Sequence, residues 1–414
     1  MTLAEALAPR RLGTSFRWLL GSSWASNIGD GIGLAAGPLL VASQTSNPTL
    51  VASAALLQRL PWLLFGLYAG VQADRLDRRR VVMAADGIRV VVIGLLCLTI
   101  VTDRVDVAVV LAAMFLLGTA ETFADTATPA LLPMLVDKRD LGIANSRIFA
   151  SGVTANQLVG PPIGATLFAV GSAWPFLTQA LLVALGVVLV SRVVLPERVV
   201  AEERVEGLAA EIREGLRWVW HHPPVRTLAL TILTFNITWG CAWSVLVLYS
   251  RERLGLGEIG FGLITTVTAV GGLVGTSAYG WLERHVGLAV IMRGVLLVET
   301  VVHLALALTT NAGLALVWFF LFGAEAFIWG TTSSAVRQRA VPSQVQGRVG
   351  SVYMLGLMGG LVVGAALAGP LAHVWGITAP FWFAFGGSAV ILALIWRQLG
   401  HVAHADEAVR ATVD

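Results

Sequence analysis

Apolar stretches of about 20 residues dominate this chain from Trp18 to Trp396. A helix of that length crosses the roughly 30 Å hydrocarbon core of a bilayer. Only helices and closed barrels satisfy their backbone groups in lipid, and barrel strands would alternate in segments of about ten residues. Apolar residues make up 56% of the chain and charged residues 13%. The sequence therefore predicts an all-α membrane protein.

We predict twelve transmembrane helices, at residues 18–42, 50–72, 81–101, 106–126, 149–170, 174–195, 228–249, 260–282, 287–309, 312–334, 349–373 and 378–397. The basic amino terminus before the first span resembles a secretory signal. The apolar run is too long for one and contains Asp30, which indicates a retained helix. Cys97 and Cys241 fall inside predicted spans, so we expect neither a disulfide framework nor a metal site, and no cofactor.

Positive charge is distributed unequally between the two sides of the predicted bundle. If the amino terminus is cytoplasmic, one side carries only Arg104, Arg251 and Arg253, and the other side carries the remaining loop arginines and lysines. Positive loops stay in the cytoplasm, so we expect both termini inside and a multi-pass protein of the inner (plasma) membrane. The net charge of +3 then reflects topology and gives no indication of nucleic-acid binding.

The two halves of the chain resemble each other. Asn27-Ile28 recurs as Asn236-Ile237, a shift of 209, and Gly118 recurs as Gly323, a shift of 205. We predict a six-helix bundle at 1–200, a linker with an amphipathic helix at 201–226, and a second six-helix bundle with a short tail at 227–414. Parallel repeats of this kind place a substrate site between two bundles.

The loop after the second span reads Gly70-Val-Gln-Ala-Asp74-Arg75-Leu-Asp77-Arg78-Arg79-Arg80. It resembles the signature of the major facilitator superfamily, with Asp77 where the family usually has glycine. The resemblance implies the two-bundle fold of that superfamily and a conformational latch formed by Gly70, Asp74, Arg75, Arg78 and Arg79. The alternative is a positive-inside stop with a surface ion pair.

The fifth span contains Gly160-Pro161-Pro162-Ile163-Gly164-Ala165, which resembles a conserved element of drug antiporters in this superfamily. That resemblance implies a gating helix built on Gly160, Pro161 and Gly164, whereas the alternative is simple close packing of small residues. Further pieces, such as Asp86-x-x-Arg89 and Gln346-Gly347-Arg348, resemble the branch of bacterial macrolide-efflux proteins and the enterobactin exporter.

Ionisable side chains within spans are costly and are therefore functional candidates. Asp30, Glu121 and Glu325 lie on helices that the resemblance places around a central cavity, and we predict that they exchange protons or contact a cationic substrate. We expect Arg59 and Arg293 to be counter-ions, and we predict that Arg59 also takes part in the proton route. The alternative is that Arg59 only neutralises Asp30. We interpret Asp125 as pairing with Arg147 or Arg89, and Glu299 with His303 as structural.

The same cavity helices carry aromatic and amide side chains that could contact a substrate: Trp24, Asn27, Phe235, Asn236, Trp239, Trp243, Phe327 and Trp329. Substrate pockets are mostly apolar with a few polar groups. The alternative for each aromatic residue is packing between helices or at the membrane interface.

These observations predict a secondary active transporter that exports a small amphipathic, drug-like molecule by alternating access, driven by protons. Export of a siderophore or another endogenous metabolite, or lipid flipping by the same superfamily, are the alternatives. The chain has no phosphate-cradling Gly-x-x-x-x-Gly-Lys loop and no catalytic constellation, so we expect neither a primary pump nor an enzyme. The expected partners are the substrate, protons and the lipid bilayer, and we predict a monomer.

Overall fold

The computed structural model describes residues 10–195, 208–342 and 345–403, without the side chains of residues 10, 74, 208–211 and 403. All regular structure in this part of the chain is helical. Its helices are α1 Gly13–Gln44, α2 Pro48–Arg75, α3 Arg78–Val101, α4 Val107–Leu135, α5 Leu141–Ser151, α6 Gly160–Val170, α7 Trp174–Ser191, α8 Leu208–His221, α9 Pro223–Ser244, α10 Glu258–His285, α11 Leu288–Leu308, α12 Ala312–Ala340, α13 Gln346–Trp375, α14 Ala379–Ile395 and α15 Gln398–Ala403.

Eight helices in the described part of the chain are long and apolar enough to cross a membrane: α2, α3, α4, α7, α10, α11, α12 and α13. A ninth span results if α9 is joined to the segment Leu246–Arg253, to which it is bent by 45°. Helix α1, the divided segment 141–170 and the shorter apolar helix α14 are not among the eight. The structure thus supports a multi-pass helical protein without fixing the count at twelve.

Two compact units make up the chain. The first comprises Met1–Ser46, Leu57–Glu202 and Gly257–Thr266, and the second comprises Asn47–Leu56, Glu203–Leu256 and Val267–Asp414. This grouping is not the same as the predicted division at 200 and 226, because most of the predicted linker groups with the second unit and two short segments group across the boundary. The first residues of α2 group with the second unit, and those of α10 group with the first.

The fifth predicted span is not one continuous α-helix. Between α5 and α6 the backbone forms a π-helix over Gly152–Val159, and α6 then begins at Gly160 with Pro161 in its first turn. A proline lacks the N–H of a normal helical hydrogen bond, and its ring clashes with the carbonyl four residues earlier. The wider π turns place the break immediately before the two consecutive prolines.

The internal repeat is visible in how glycines pack. Gly118 on α4 lies so close to the carbonyl of Gln58 on α2 that a Cβ atom would clash. Within the second unit, Gly323 on α12 makes the same approach to the carbonyl of Thr268 on α10. The two contacts occupy related positions in the sequence: Gly323 lies 205 residues after Gly118, and Thr268 lies 210 residues after Gln58. These shifts are close to the shift of 209 between Asn27 and Asn236. Each unit therefore uses an equivalent glycine contact to bring two helices together.

Asp77, which departs from the usual glycine of the α2–α3 loop, is the N-cap of α3. Its Oδ1 accepts hydrogen bonds from the backbone N–H groups of Arg79 and Arg80, at 3.0 and 3.3 Å. A carboxylate at this position also interacts favourably with the helix dipole.

Replacing Asp77 with alanine should therefore lower the free energy of unfolding by about 1 kcal/mol, the usual cost of losing a cap. Asp77→Asn should cost much less, because its amide oxygen accepts the same bonds. Thermal unfolding of the two purified variants in detergent would check this, and equal losses would contradict the capping role.

Candidate functional site

A buried arginine in the first unit faces three carboxylates. Arg89 Nη1 donates to Asp86 Oδ1 at 2.8 Å, one turn earlier on α3. Its Nη2 forms a short ion pair with Asp30 Oδ1 on α1 and lies 3.7 Å from Glu121 Oε1 on α4. Asp125 lies one turn beyond Glu121 and therefore on the same face of α4. We call Asp30, Asp86, Arg89, Glu121 and Asp125 the acidic cluster.

The acidic cluster contains four carboxyl groups and one guanidinium. If all were ionised, the excess negative charge would lie among membrane-spanning helices, where unpaired charge is very unfavourable. A group of this composition lowers its energy by binding protons or a cation. The arrangement is therefore suited to proton exchange or cation binding.

Exposure differs across the acidic cluster. The side chains of Asp86 and Arg89 are 4% and 3% exposed, whereas those of Asp30 and Glu121 are 21% and 23% exposed. Asp86 and Arg89, both on α3, are therefore the buried members of the cluster. Asp125 is more exposed still, so Asp30, Glu121 and Asp125 are its accessible members, and their part in proton exchange remains a prediction.

The partner of Asp30 is Arg89 rather than Arg59, which the sequence offered as the neutralising arginine. Arg59 Nη1 is buried without a hydrogen-bond partner in the described part of the chain. Arg293, the other expected counter-ion, donates from Nε to the carbonyl of Trp396 at 2.9 Å and lies over its ring. The sequence offered Arg89 only as a possible partner of Asp125, and it assigned Asp86 no role. Their spacing of three residues inside an apolar span was the signal that could have identified them.

Glu325 on α12 is the main titratable group of the second unit. It is 4% exposed, and neither Oε1 nor Oε2 has a hydrogen-bond partner among the described residues. Glu299 on α11 is also buried. Two buried carboxyls in this situation are stable only when protonated or matched by a cation. The expected role of Glu325 in proton or cation binding remains a prediction.

Aromatic side chains surround a small cavity in the second unit. The ring centroids of Trp239 and Trp243 on α9 are 5.7 Å apart, and those of Trp239 and Phe322 on α12 are 6.0 Å apart. Both tryptophans line the cavity, together with His303. The indole N–H of Trp239 is buried and unpaired in the described residues, so it is an available donor. Phe322 was not among the predicted cavity residues, although it lies three residues before Glu325 and thus on the same face of α12.

The remaining cavity candidates have local contacts. Phe235 and Trp329 belong to the hydrophobic core of the second unit, and Trp24 packs against that of the first. The Asn27 and Asn236 side-chain amides donate to the carbonyls of Ser23 and Ile232. Phe327 lies against Gly272. The packing alternative is therefore favoured for Phe235 and Trp329, and the substrate role of the others remains a prediction.

The expected latch residues connect the ends of several helices in the first unit. Arg78 donates to the carbonyls of Ala73 on α2 and Ala130 on α4, at 3.0 and 2.9 Å. Arg79 donates to the carbonyl of Val193, just after α7, at 2.8 Å. Arg75 is exposed at the end of α2, and a Cβ on Gly70 would meet nothing within 4 Å. The side chain of Asp74 lies outside the described residues.

The expected gating residues pack directly on α1. A Cβ on Gly160 would clash with the backbone of Gly31, and one on Gly164 would clash with that of Ile32. Pro161, in the first turn of α6, follows the π-helix. These residues let α6 approach the helix that carries Asp30, which links the helix break to the acidic cluster.

Comparisons with known proteins agree with this architecture. The chain is 30% identical over 383 residues to the multidrug efflux pump Tap of Mycolicibacterium fortuitum, covering 88% of this chain and 90% of the relative. It is 28% identical to BacE of Bacillus subtilis strain 168, named for bacilysin export, over 83% of this chain and 85% of the relative. A bacterial homologue of the iron transporter ferroportin, solved in an inward-facing state, superposes with a TM-score of 0.74 at 17% identity, covering 93% of this chain and 98% of that structure.

In the described residues no cluster of three or more His, Cys, Asp or Glu side chains has the arrangement of a metal site.

The family model for transmembrane secretion effectors matches residues 4–412. Together with the similarity to the Tap efflux pump and to BacE, this match shows that the chain belongs to the transmembrane secretion effector family of the major facilitator superfamily, and that it is a membrane transporter rather than an enzyme.

Proposed function

We propose that this protein exports small amphipathic molecules in exchange for protons, through twelve spans arranged as two six-helix bundles. The acidic cluster carries the proposal, because one buried arginine is in contact with carboxylates from three helices. In this proposal the protein is a monomer of the plasma membrane with both termini in the cytoplasm, as the distribution of positive loops predicts.

The coupling follows from charge balance in the acidic cluster. A proton on Asp30 or Glu121 weakens its attraction to Arg89, so the two protonation states favour different arrangements of α1, α3 and α4. A ligand shifts an equilibrium between two access states only if it binds them with different affinities. Protons taken up outside and released inside would thereby drive the return step of export.

Aromatic residues of the second unit fit the proposed substrate class. Trp239, Trp243 and Phe322 offer apolar and π surfaces, and the free indole N–H of Trp239 provides one polar contact. The cavity holds only about 10 Å³ in this structure, so a drug-sized compound would bind there in an access state in which the cavity is wider. The name of the Tap relative, a multidrug efflux pump, supports the same class.

Replacing Asp30 with asparagine is expected to abolish proton-driven export. Asparagine keeps the size of the side chain but has no proton to exchange. The measurement is the minimal inhibitory concentration of a panel of drugs and dyes in a strain lacking efflux pumps that expresses each variant.

The matched control is Asp106→Asn. It removes one carboxylate, but asparagine can still accept the hydrogen bond that Asp106 receives from Val109 N at the start of α4. This variant should retain full resistance. Unchanged resistance with Asp30→Asn would show that Asp30 has no coupling role.

A second candidate function is export of a self-produced antibiotic or another endogenous metabolite. The BacE relative, named for bacilysin export, favours it. Deletion of the gene in its own host would then cause the metabolite to accumulate inside the cell, with little change in resistance to the added panel. Broad loss of resistance without accumulation would favour drug export.

A further inference from the structure

The linker helix α8 has one face docked on the second unit, and none of the described residues covers the opposite face. On the docked face, Gly215 lies against the backbone of Arg348, and Val219 is buried in the core. Glu214 accepts from Arg348 Nη1 at 2.5 Å. The orientation of α8 is therefore fixed by packing and by an ion pair with the start of α13.

The free face of α8 is both apolar and basic. Leu216 is 52% exposed and Trp220 is 62% exposed. Together with Ile212 they line a shallow surface depression, which Arg213 and Arg217 flank. A helix packed in a water-facing position would normally hide such large apolar side chains. The combination of exposed Trp and Leu with arginines is typical of helices at the lipid–water interface.

Two guanidinium groups flank this depression, and a third lies beside Trp220. Arg213 and Arg217 are four residues apart and therefore share one face of α8. Neither pairs with an acidic side chain in the part of the chain that the structure describes, since Glu214 is engaged by Arg348. Arg226, at the start of α9, lies 5.3 Å from the Trp220 ring centroid and donates to the Trp220 carbonyl at 3.2 Å.

We propose that the free face of α8 binds the phosphate group of an anionic phospholipid. The phosphate would lie between Arg213, Arg217 and Arg226, and the acyl chains would cover Leu216 and Trp220. Its position along the chain supports this occupant, because α8 connects two apolar helices, α7 and α9, and so lies at a membrane surface. The charges are complementary, since cytoplasmic leaflets carry negative lipids that attract basic segments.

The test uses the purified full-length protein in a neutral detergent, titrated with phosphatidylglycerol or with phosphatidylcholine of the same acyl chains. Native mass spectrometry counts the lipids retained. We expect tighter retention of phosphatidylglycerol, weakened by salt. The double variant Arg213→Gln/Arg217→Gln should weaken it by tenfold or more, since each arginine near an anionic surface contributes roughly fivefold in affinity.

The control variant Lys138→Gln/Arg192→Gln removes the same number of charges from two exposed sites on the same predicted side of the membrane. It should retain phosphatidylglycerol like the unmodified protein. The proposal is overturned if both lipids bind equally, if the α8 variant keeps its phosphatidylglycerol, or if the control loses as much. The readout requires no transported substrate, so it stands apart from the proposed export function.

Discussion

Replacing Arg89 with glutamine is expected to abolish transport and to cost about 3–5 kcal/mol of stability, the usual effect of removing one partner from a buried ion pair. Arg89 is in contact with Asp30, Asp86 and Glu121, and its side chain is 3% exposed. Without it, three carboxylates lose their common counter-ion. The checks are the thermal unfolding midpoint of the purified variant and the drug resistance of cells that express it.

Two further variants separate loss of charge balance from general damage. Asp86→Asn combined with Arg89→Gln should recover part of the stability, because the excess negative charge is reduced. Arg59→Gln should have a smaller effect on folding, because Arg59 Nη1 has no partner to lose among the described residues. If Arg59→Gln were as damaging as Arg89→Gln, the assignment of Arg89 as the counter-ion of the acidic cluster would be wrong.

Gly323→Ala is expected to be the most damaging single-methyl addition in the second unit, with a cost of about 3 kcal/mol, at the upper end for overpacking. The new Cβ would clash with the carbonyl of Thr268, a backbone atom that cannot move unless α10 and α12 separate. Gly118→Ala should act in the same way in the first unit, where the clash is with the carbonyl of Gln58. Unfolding in detergent and the yield of monodisperse protein measure the loss.

The control lies on the same helix. A Cβ on Gly330, two turns beyond Gly323 on α12, would meet nothing within 4 Å. Gly330→Ala should therefore be neutral or slightly stabilising, since alanine favours a helix by up to about 1 kcal/mol over glycine. A comparable loss of stability in both variants would mean that α10 and α12 are not held together by this glycine contact.

The membrane class could be predicted because it depends on hydropathy averaged over long stretches of the chain. The repeat could be predicted because glycines at close helix contacts recur at a nearly constant spacing. Roughly 20-residue apolar runs identify spans whatever the neighbouring helices are. Gly118 and Gly323 occupy related positions because each lets two helices pack closely, α4 on α2 and α12 on α10. The π-helix at Gly152–Val159 was not predicted. The sequence indicated a special role for Gly160, Pro161 and Gly164, but not a break in the residues before them.

The charged site was predicted in outline and missed in its central member. Asp30 and Glu121 were identified because a carboxylate in a span is rare. Their partner was harder to find, because the sequence offers several arginines in or near spans, and only the packing of α1, α3 and α4 places Arg89 between them. The same limitation applies to Phe322, whose place beside Trp239 depends on the rotation of α12 about its own axis.

The most direct test of the central claim measures proton movement in vesicles. The purified protein is reconstituted into vesicles with a pH-sensitive dye in the lumen. The test compound is one to which the overproducing strain is resistant, and a concentration gradient of this compound is imposed across the membrane. We expect protons to move opposite to the compound, and the dye signal to disappear with Asp30→Asn. Movement of the compound across the membrane with no change in lumenal pH would contradict proton exchange by the acidic cluster.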